Sequence, residues 1–151
     1  MKKANGTDWQ GTKVEHRFVK VGEINTHYLV GGEGPPLVLI HGGGTTIEEA
    51  WVHNLPSLAQ YYQVYAPDLV GHGKSDRPPA EYTFSFVSES FASFVEALDL
   101  EKVSLIGHAL GGGIAIDFAI DHPGRVEKLI AAKILREIMI DENQGCYRQY
   151  C

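Results

Sequence analysis

The sequence predicts an α/β fold, with a mostly parallel sheet, helices on both faces and an opening β-hairpin. Two β-rich segments, Val14 to Val21 and Ile24 to Val30, come first, and the glycine-containing turn between them indicates the hairpin. After them, short apolar segments alternate with segments whose apolar residues recur at helical spacing. Because a strand, a helix and a further strand join most simply as a right-handed crossover, this alternation favours parallel strands.

The first crossover follows the turn residues that end at Pro36. Residues Leu37 to Ile40 are uniformly apolar, as a strand buried on both faces must be. Residues 47–62 predict a helix interrupted near Pro56, and residues 63–67 predict the next buried strand.

The second half of the core begins at Thr83, a candidate N-cap for a helix with an apolar stripe. A strand is expected over residues 102–107, a helix over residues 110–122 that Pro123 ends, and a strand or helix start over residues 125–131. The apolar stripe consists of Phe84, Val87, Phe91, Phe94, Val95 and Leu98.

The 151 residues suffice for one domain with a core of its own. We expect residues 1–13 to be a flexible N-terminus and residues 14–131 to form the core. Residues 132–151 have a different pattern, with apolar residues at helical spacing from Ile134 to Ile138, so we expect a helical tail that frays.

Composition limits the classes of partner. The net charge is -6, and Lys and Arg form no cluster beyond the first three residues, which argues against binding to nucleic acid or to anionic membranes. No apolar stretch is long enough to span a bilayer, and the start of the chain lacks the apolar segment of a signal peptide. We therefore expect a cytoplasmic protein with a small neutral or apolar ligand. The seven histidines and two cysteines show no metal-binding spacing, and no cofactor is predicted.

Three glycine-rich loops follow predicted strands, where ligands bind in parallel sheets. They are "HGGGTT" from His41, "PDLVGHGKSDRPP" from Pro67 and "GHALGG" from Gly107. The second loop is close to a phosphate-binding P-loop, but it has Asp68 where the pattern requires glycine, and no helix can follow it. We interpret Asp68, Ser75 and Asp76 as residues that cap and brace turns.

The third loop has the spacing glycine, any residue, nucleophile, any residue, glycine. At such a turn the central residue adopts a strained backbone, and Gly107 and Gly111 must lack side chains so that strand and helix can approach. A dinucleotide-binding fingerprint is excluded because it requires glycine at the position of Ala109. Taken alone, the loop fits a glycine-rich turn without chemistry equally well.

The three loops together, in this order and at these intervals, resemble the α/β-hydrolase superfamily from about Phe18 to Ile130, which is the first half of that fold. The "HGGG" form of the first loop is most similar to esterases and carbon–carbon bond hydrolases. The resemblance implies a nucleophile elbow over residues 107–111, an oxyanion hole and a structural histidine whose ring bonds to loop backbone. The oxyanion-hole donors would be the N–H groups of Gly43 and Leu110, the binding residues Gly42, Gly44 and His108, and the structural histidine His41.

Two departures from the family matter. The nucleophile position holds Ala109, whose methyl group can neither attack nor be activated, so covalent catalysis through it is excluded. The chain also ends before the positions of the family's acid and catalytic histidine. His122, beside Pro123, is expected to cap a helix or lie at the surface. We therefore expect this chain to be inactive as a serine hydrolase.

Three interpretations stay open. The chain is the amino-terminal half of a hydrolase in which Ala109 was engineered or arose after activity was lost. Alternatively, it is an enzyme that uses a bound water instead of serine, because the aminoacrylate hydrolases also carry the string GHALG. Thirdly, it is a non-catalytic binding or scaffold protein. In the isolated chain the strand near residues 126–131 would form an exposed sheet edge, through which we expect self-association. A compact monomer would favour the binding-protein interpretation instead.

Overall fold

The computed structural model describes residues 6–134, and within them a seven-stranded mixed sheet forms the centre. The strand order is β1-β2-β3-β5-β4-β6-β7. Strands β1, β2, β3 and β5 pair antiparallel to one another in that order, whereas β5, β4, β6 and β7 are parallel. The strands are β1 Gly6–Trp9, β2 Thr12–Val21, β3 Ile24–Gly31, β4 Pro36–Ile40, β5 Gln63–Pro67, β6 Val103–His108 and β7 Val126–Ala132.

Four α-helices connect the parallel strands. They are α1 Ile47–Trp51, α2 Leu55–Leu58, α3 Phe84–Ala97 and α4 Leu110–Asp121, and a short 3-10 turn, Pro123–Arg125, precedes β7. Thr83 is the N-cap of α3, because its side-chain oxygen accepts a hydrogen bond from the Phe86 N–H at 3.1 Å. None of the helices among residues 6–134 is long and apolar enough to cross a membrane.

The interruption predicted near Pro56 is confirmed, although Pro56 does not itself end the first helix. The break lies at residues 52–54, and Pro56 sits in the first turn of α2. Proline lacks the N–H that an interior turn needs, but the first turn of a helix has no intrahelical acceptor for that group. Pro56 is therefore compatible with the start of the second helix rather than the cause of the end of the first.

The two faces of the sheet have separate cores, which confirms helices on both faces. Val38 and Ile40 of β4 pack in one cluster with apolar residues of α3 and α4. Leu37 and Leu39, the alternate residues of the same strand, pack in a second cluster with α1 and α2. A strand with helices on both sides is uniformly apolar for this reason.

The N-terminal prediction was wrong for residues 6–13, which form β1 and the start of β2 rather than a flexible segment. Gly6 pairs with Glu15 and Trp9 with Thr12 in an antiparallel ladder. Four mostly polar residues are too few to show a clear alternation of apolar and polar positions, so this strand is recognised only by its pairing with β2. The expected helix of the tail lies outside the described residues, apart from residues 132–134.

The segment at residues 125–131, left open between strand and helix, is strand β7. Within residues 6–134 it lies at one end of the sheet and pairs with β6 alone. Leu129 and Ile130 are 38% and 58% exposed.

Candidate active site

The turn between β6 and α4 is built by steric contact. A Cβ on Gly107 would lie 2.1 Å from the carbonyl oxygen of Gly111, and a Cβ on Gly111 would lie 2.3 Å from that of Ile40. Real Cβ atoms essentially never come within 3.0 Å of a backbone atom. The prediction that both positions must lack side chains is therefore confirmed.

Ala109 sits at the point of this turn in a strained backbone conformation. Its φ is 51° and its ψ is -114°, and non-glycine residues rarely adopt a positive φ. The surrounding structure holds it there. Its N–H donates to the carbonyl oxygen of Ala132 at 2.9 Å, and its own carbonyl oxygen accepts from Gly112 and Gly113 at 3.0 and 3.2 Å. Strain of this kind persists only where neighbouring contacts fix the backbone, and such places are frequently functional.

Helix α4 begins immediately after Ala109. No side chain caps its N-terminus and its first turn holds no acidic residue. The positive end of the helix dipole at Leu110 therefore faces the turn without a neutralising carboxylate.

His41 fixes the loop that follows β4. Its ring is fully buried, Nδ1 donates to the carbonyl oxygen of Gly42 at 2.6 Å, and Nε2 accepts from the Leu69 N–H at 2.9 Å. Burial lowers the pKa of His41 to about 4, so the ring is neutral near pH 7 and can accept through Nε2. The expectation that this ring bonds to loop backbone is confirmed.

The first and third glycine loops meet because β4 and β6 are parallel neighbours, with Ile40 in register with Gly107. A Cβ on Gly42 would lie 3.3 Å from His108 Nδ1 and 3.5 Å from the Ala109 methyl carbon. The structure thus brings Gly42, His108 and Ala109 into contact. Gly43 and Leu110, from which the oxyanion donors are expected, each follow a residue of this contact, and Gly44 comes next in the first loop.

Sequence reasoning missed His27 in β3. It is fully buried, and its Nδ1 lies 2.7 Å from Oδ2 of Asp68, which is 2% exposed. The Asp68 carboxylate also accepts from the backbone N–H groups of Ile47 at 2.9 Å and Lys74 at 3.0 Å. Burial alone would raise the pKa of Asp68, but the hydrogen bonds from His27, Ile47 and Lys74 outweigh it and hold that pKa below its usual value.

The second loop braces its surroundings, as expected. Besides the contacts of Asp68, the Ser75 hydroxyl donates to the Asp68 carbonyl oxygen at 2.7 Å and accepts from the His27 N–H at 2.9 Å. Oδ2 of Asp76 accepts from the Asn25 N–H at 2.7 Å.

The sequence signal that could have identified His27 is a single histidine in an apolar strand, because a buried polar ring requires a hydrogen-bond partner.

The position expected for a helix-end histidine is also confirmed. His122 is the C-cap of α4, and its ring lies against that of Phe118 with centroids 4.7 Å apart.

Comparison with known proteins identifies the family to which this fold belongs. The sequence profile of the alpha/beta hydrolase fold family matches residues 35–147. The chain belongs to the α/β-hydrolase family. The sequence resemblance and the fold class are both confirmed by this match and by the solved structures of similar fold.

The α/β-hydrolase relatives cover several reactions. A 2-hydroxy-6-oxo-6-(2'-aminophenyl)hexa-2,4-dienoic acid hydrolase of Metapseudomonas resinovorans is 37% identical over 76% of this chain and 40% of its own length. A soluble epoxide hydrolase of Corynebacterium sp. (strain C12) is 36% identical over 78% of this chain and 41% of its own. The chain spans about two fifths of the length of these relatives.

Among solved structures, one similar α/β-hydrolase is a meta-cleavage product hydrolase from Pseudomonas fluorescens IP01, determined as a serine-to-alanine variant complexed with acetates. It is 34% identical, has a TM-score of 0.72, and is matched over 77% of this chain and 44% of its own.

Proposed function

We propose that this chain supplies the carbonyl-binding part of an α/β-hydrolase site of the ester or carbon–carbon bond hydrolase type, without a covalent nucleophile. The observation that carries this proposal is the strained turn at Ala109, packed against Gly42 of the neighbouring loop. This backbone geometry is required of a nucleophile elbow, yet the side chain at its point is a methyl group.

The backbone around Ala109 suits an oxygen that gains negative charge. The N–H groups of Gly43 and Leu110 are the proposed donors, and the uncapped start of α4 adds the positive end of a helix dipole. Each such donor is worth about 3 kcal/mol to an acyl-transfer transition state. Glycines at positions 42–44 allow a substrate to approach the backbone closely.

The site lacks a covalent nucleophile at residue 109. A methyl group cannot form an acyl-enzyme, and removal of the nucleophile from a serine enzyme costs on the order of 10⁶ in kcat. We therefore propose binding of a small neutral or apolar carbonyl compound without turnover through residue 109. One relative was determined as a serine-to-alanine variant complexed with acetates. We use acetate as the probe here, because its carboxylate oxygen would accept from the same N–H donors as a carbonyl oxygen. A cytoplasmic location stays a prediction.

A second candidate is hydrolysis by a bound water. A Cβ on Gly42 would lie close to both His108 Nδ1 and the Ala109 methyl group, so an imidazole takes part in the same loop contact as residue 109. A positioned histidine can act as a general base toward water. A third interpretation, a binding or scaffold protein, predicts ligand capture with no turnover at all.

Labelling and turnover separate hydrolysis by a bound water from binding without turnover. A fluorophosphonate probe should leave the mass of the unmodified chain unchanged, because residue 109 has no nucleophile. An adduct at Ala109 is chemically impossible, so an adduct elsewhere in the site would reveal a nucleophile that contradicts the proposal. Hydrolysis of p-nitrophenyl acetate above the buffer rate, lost in His108→Phe but not in the exposed His53→Phe control, would favour the water mechanism.

A further inference from the structure

A chain of three side chains runs from the surface of the sheet to the candidate site. Nδ1 of His16 in β2 lies 3.0 Å from Nε2 of His27, and Nδ1 of His27 lies 2.7 Å from Oδ2 of Asp68. The planes of the two imidazole rings are inclined by 23°, and the ring centroids lie 5.2 Å apart. His16 is 20% exposed at its side chain, whereas His27 is fully buried.

The hydrogens in this chain can be assigned from its acceptor end. Asp68 is ionised near pH 7 because hydrogen bonds hold its pKa low, and a carboxylate only accepts. Nδ1 of His27 therefore carries a hydrogen and donates to Asp68. When both rings are neutral, Nε2 of His27 is an acceptor, and Nδ1 of His16 must carry the hydrogen that it receives.

The other carboxylate oxygen of Asp68 reaches the first loop. Oδ1 accepts from the Ile47 N–H at 2.9 Å, at the start of α1. The next residue after Asp68, Leu69, donates its N–H to Nε2 of His41 at 2.9 Å. The loop over residues 41–47 is thus attached at both ends to consecutive residues that follow β5, and Gly42 to Gly44 lie between these two attachments.

We propose that His27, oriented by His16, is a positioning residue that holds Asp68 and thereby fixes the glycine loop of the site. The two carboxylate oxygens of Asp68 have different partners, because Oδ2 accepts from His27 and Oδ1 accepts from the Ile47 N–H. Oδ2 accepts from both His27 Nδ1 and the Lys74 N–H, and these two bonds together fix the rotation of the carboxylate, which keeps Oδ1 on Ile47. This inference rests on the proposed function only in its last step, from a fixed loop to ligand binding at Gly43.

The first test uses the unmodified full chain. The ring nitrogens of His16 and His27 are assigned by ¹⁵N NMR near pH 7.5, where tautomers give distinct shifts. We expect Nδ1 of His27 to be protonated, with His16 in the Nδ1–H tautomer. A His27 ring protonated only at Nε2 would overturn the proposal, because Nδ1 could not then donate to Asp68.

The second test separates the two nitrogens of His27 with two variants. An asparagine side-chain amide takes the place of Nδ1, whereas a glutamine amide takes the place of Nε2. We expect His27→Asn to keep protection of the Ile47 amide against hydrogen exchange. In His27→Gln the exchange of that amide should accelerate at least about tenfold, since a hydrogen bond to a charged group is lost.

A purely structural role for His27 predicts that both variants loosen Ile47 to the same extent, and that result would overturn the proposal. Protection of the Val38 amide in buried β4 reports whether each variant is folded. If neither variant folds, the tautomer measurement on the unmodified chain decides.

The last step is tested with acetate as the probe. We expect the Gly43 amide of folded His27→Gln to respond to acetate at least about tenfold more weakly than that of His27→Asn. Equal responses in the two variants would overturn positioning of the loop. If no form of the chain binds acetate while Ile47 loosens as expected, the proposed function fails and the role of His27 in fixing the loop stands.

Discussion

Gly111 packs against the carbonyl oxygen of Ile40 so closely that a Cβ at this position would lie 2.3 Å from that oxygen. The contact joins the first turn of α4 to the end of β4. It therefore sets the distance between the two loops that form the candidate site.

Replacement of Gly111 by alanine should destabilise the protein severely. The atoms that a Cβ would meet are backbone atoms, so relief of the overlap requires the start of α4 and the end of β4 to move apart, and we expect a loss of about 3 kcal/mol or more in the free energy of unfolding. Urea denaturation followed by circular dichroism measures it. Gly124→Ala is the matched control, because a Cβ at Gly124 would have no atom within 4 Å. Equal stability of the two variants would show that the close contact is absent.

Replacement of Ala109 by glycine should leave stability unchanged or raise it. The φ of 51° costs an alanine about 1–2 kcal/mol, which glycine avoids, and the entropy cost of glycine is about 0.5–1 kcal/mol. The same substitution at Ala92 in α3 should cost about 1 kcal/mol, because that residue is in regular helix. A loss in Ala109→Gly as large as in Ala92→Gly, measured by thermal denaturation, would argue against strain at the turn.

Stability should decrease as the pH falls from 6.5 to about 4. Burial lowers the pKa of His41 to about 4, whereas the unfolded chain has an ordinary histidine with a pKa near 6.5. In this window the unfolded state binds a proton that the native state does not, so the stabilisation present above pH 6.5 is lost on acidification. The full effect is about 3 kcal/mol.

Urea denaturation at several pH values measures the contribution of His41. We expect His41→Asn to be less stable at pH 7 but to show a flatter pH dependence over this range. His53→Asn, at an exposed position, is the control and should behave as the unmodified chain does. A His41→Asn protein with the original slope would assign the pH dependence to other groups.

The chain should associate with itself through β7. Among residues 6–134 this strand pairs only with β6, and its Ile130 is 58% exposed. Strands with apolar side chains and an open edge pair with other chains. We expect a mass above that of the monomer in sedimentation at micromolar concentration, and a shift toward monomer in Ile130→Lys.

Tyr61→Lys provides the control for this edge, because Tyr61 is 72% exposed but lies between α2 and β5. A monomer at all concentrations, with no binding of dyes for apolar surface, would contradict self-association.

Periodic elements could be predicted from the sequence, whereas tertiary pairings could not. The run from Leu37 to Ile40 and the stripe from Phe84 to Leu98 carry their burial in their own pattern, so both were correctly assigned. Strand β1 has only four residues and no such pattern, and it forms because β2 offers an edge for pairing. The residues of β1 alone do not indicate that this edge is available for pairing.

The residues of the candidate site likewise fall into those that could be predicted from local sequence and those that could not. Glycines 107 and 111 could be explained beforehand, because their spacing follows from a sharp turn between strand and helix. His27 could not be assigned a role, because its partner Asp68 lies 41 residues later and meets it only when β3 and β5 pair.

A titration of the full chain with acetate, followed by amide NMR, tests the central claim most directly. If the backbone around Ala109 binds a carboxylate or carbonyl oxygen, the Gly43 and Leu110 amide resonances will move together and saturate with one dissociation constant, while that of exposed Gly124 stays in place. Gly43 and Leu110 resonances that do not move, or that move with different dissociation constants, would contradict a shared oxyanion site.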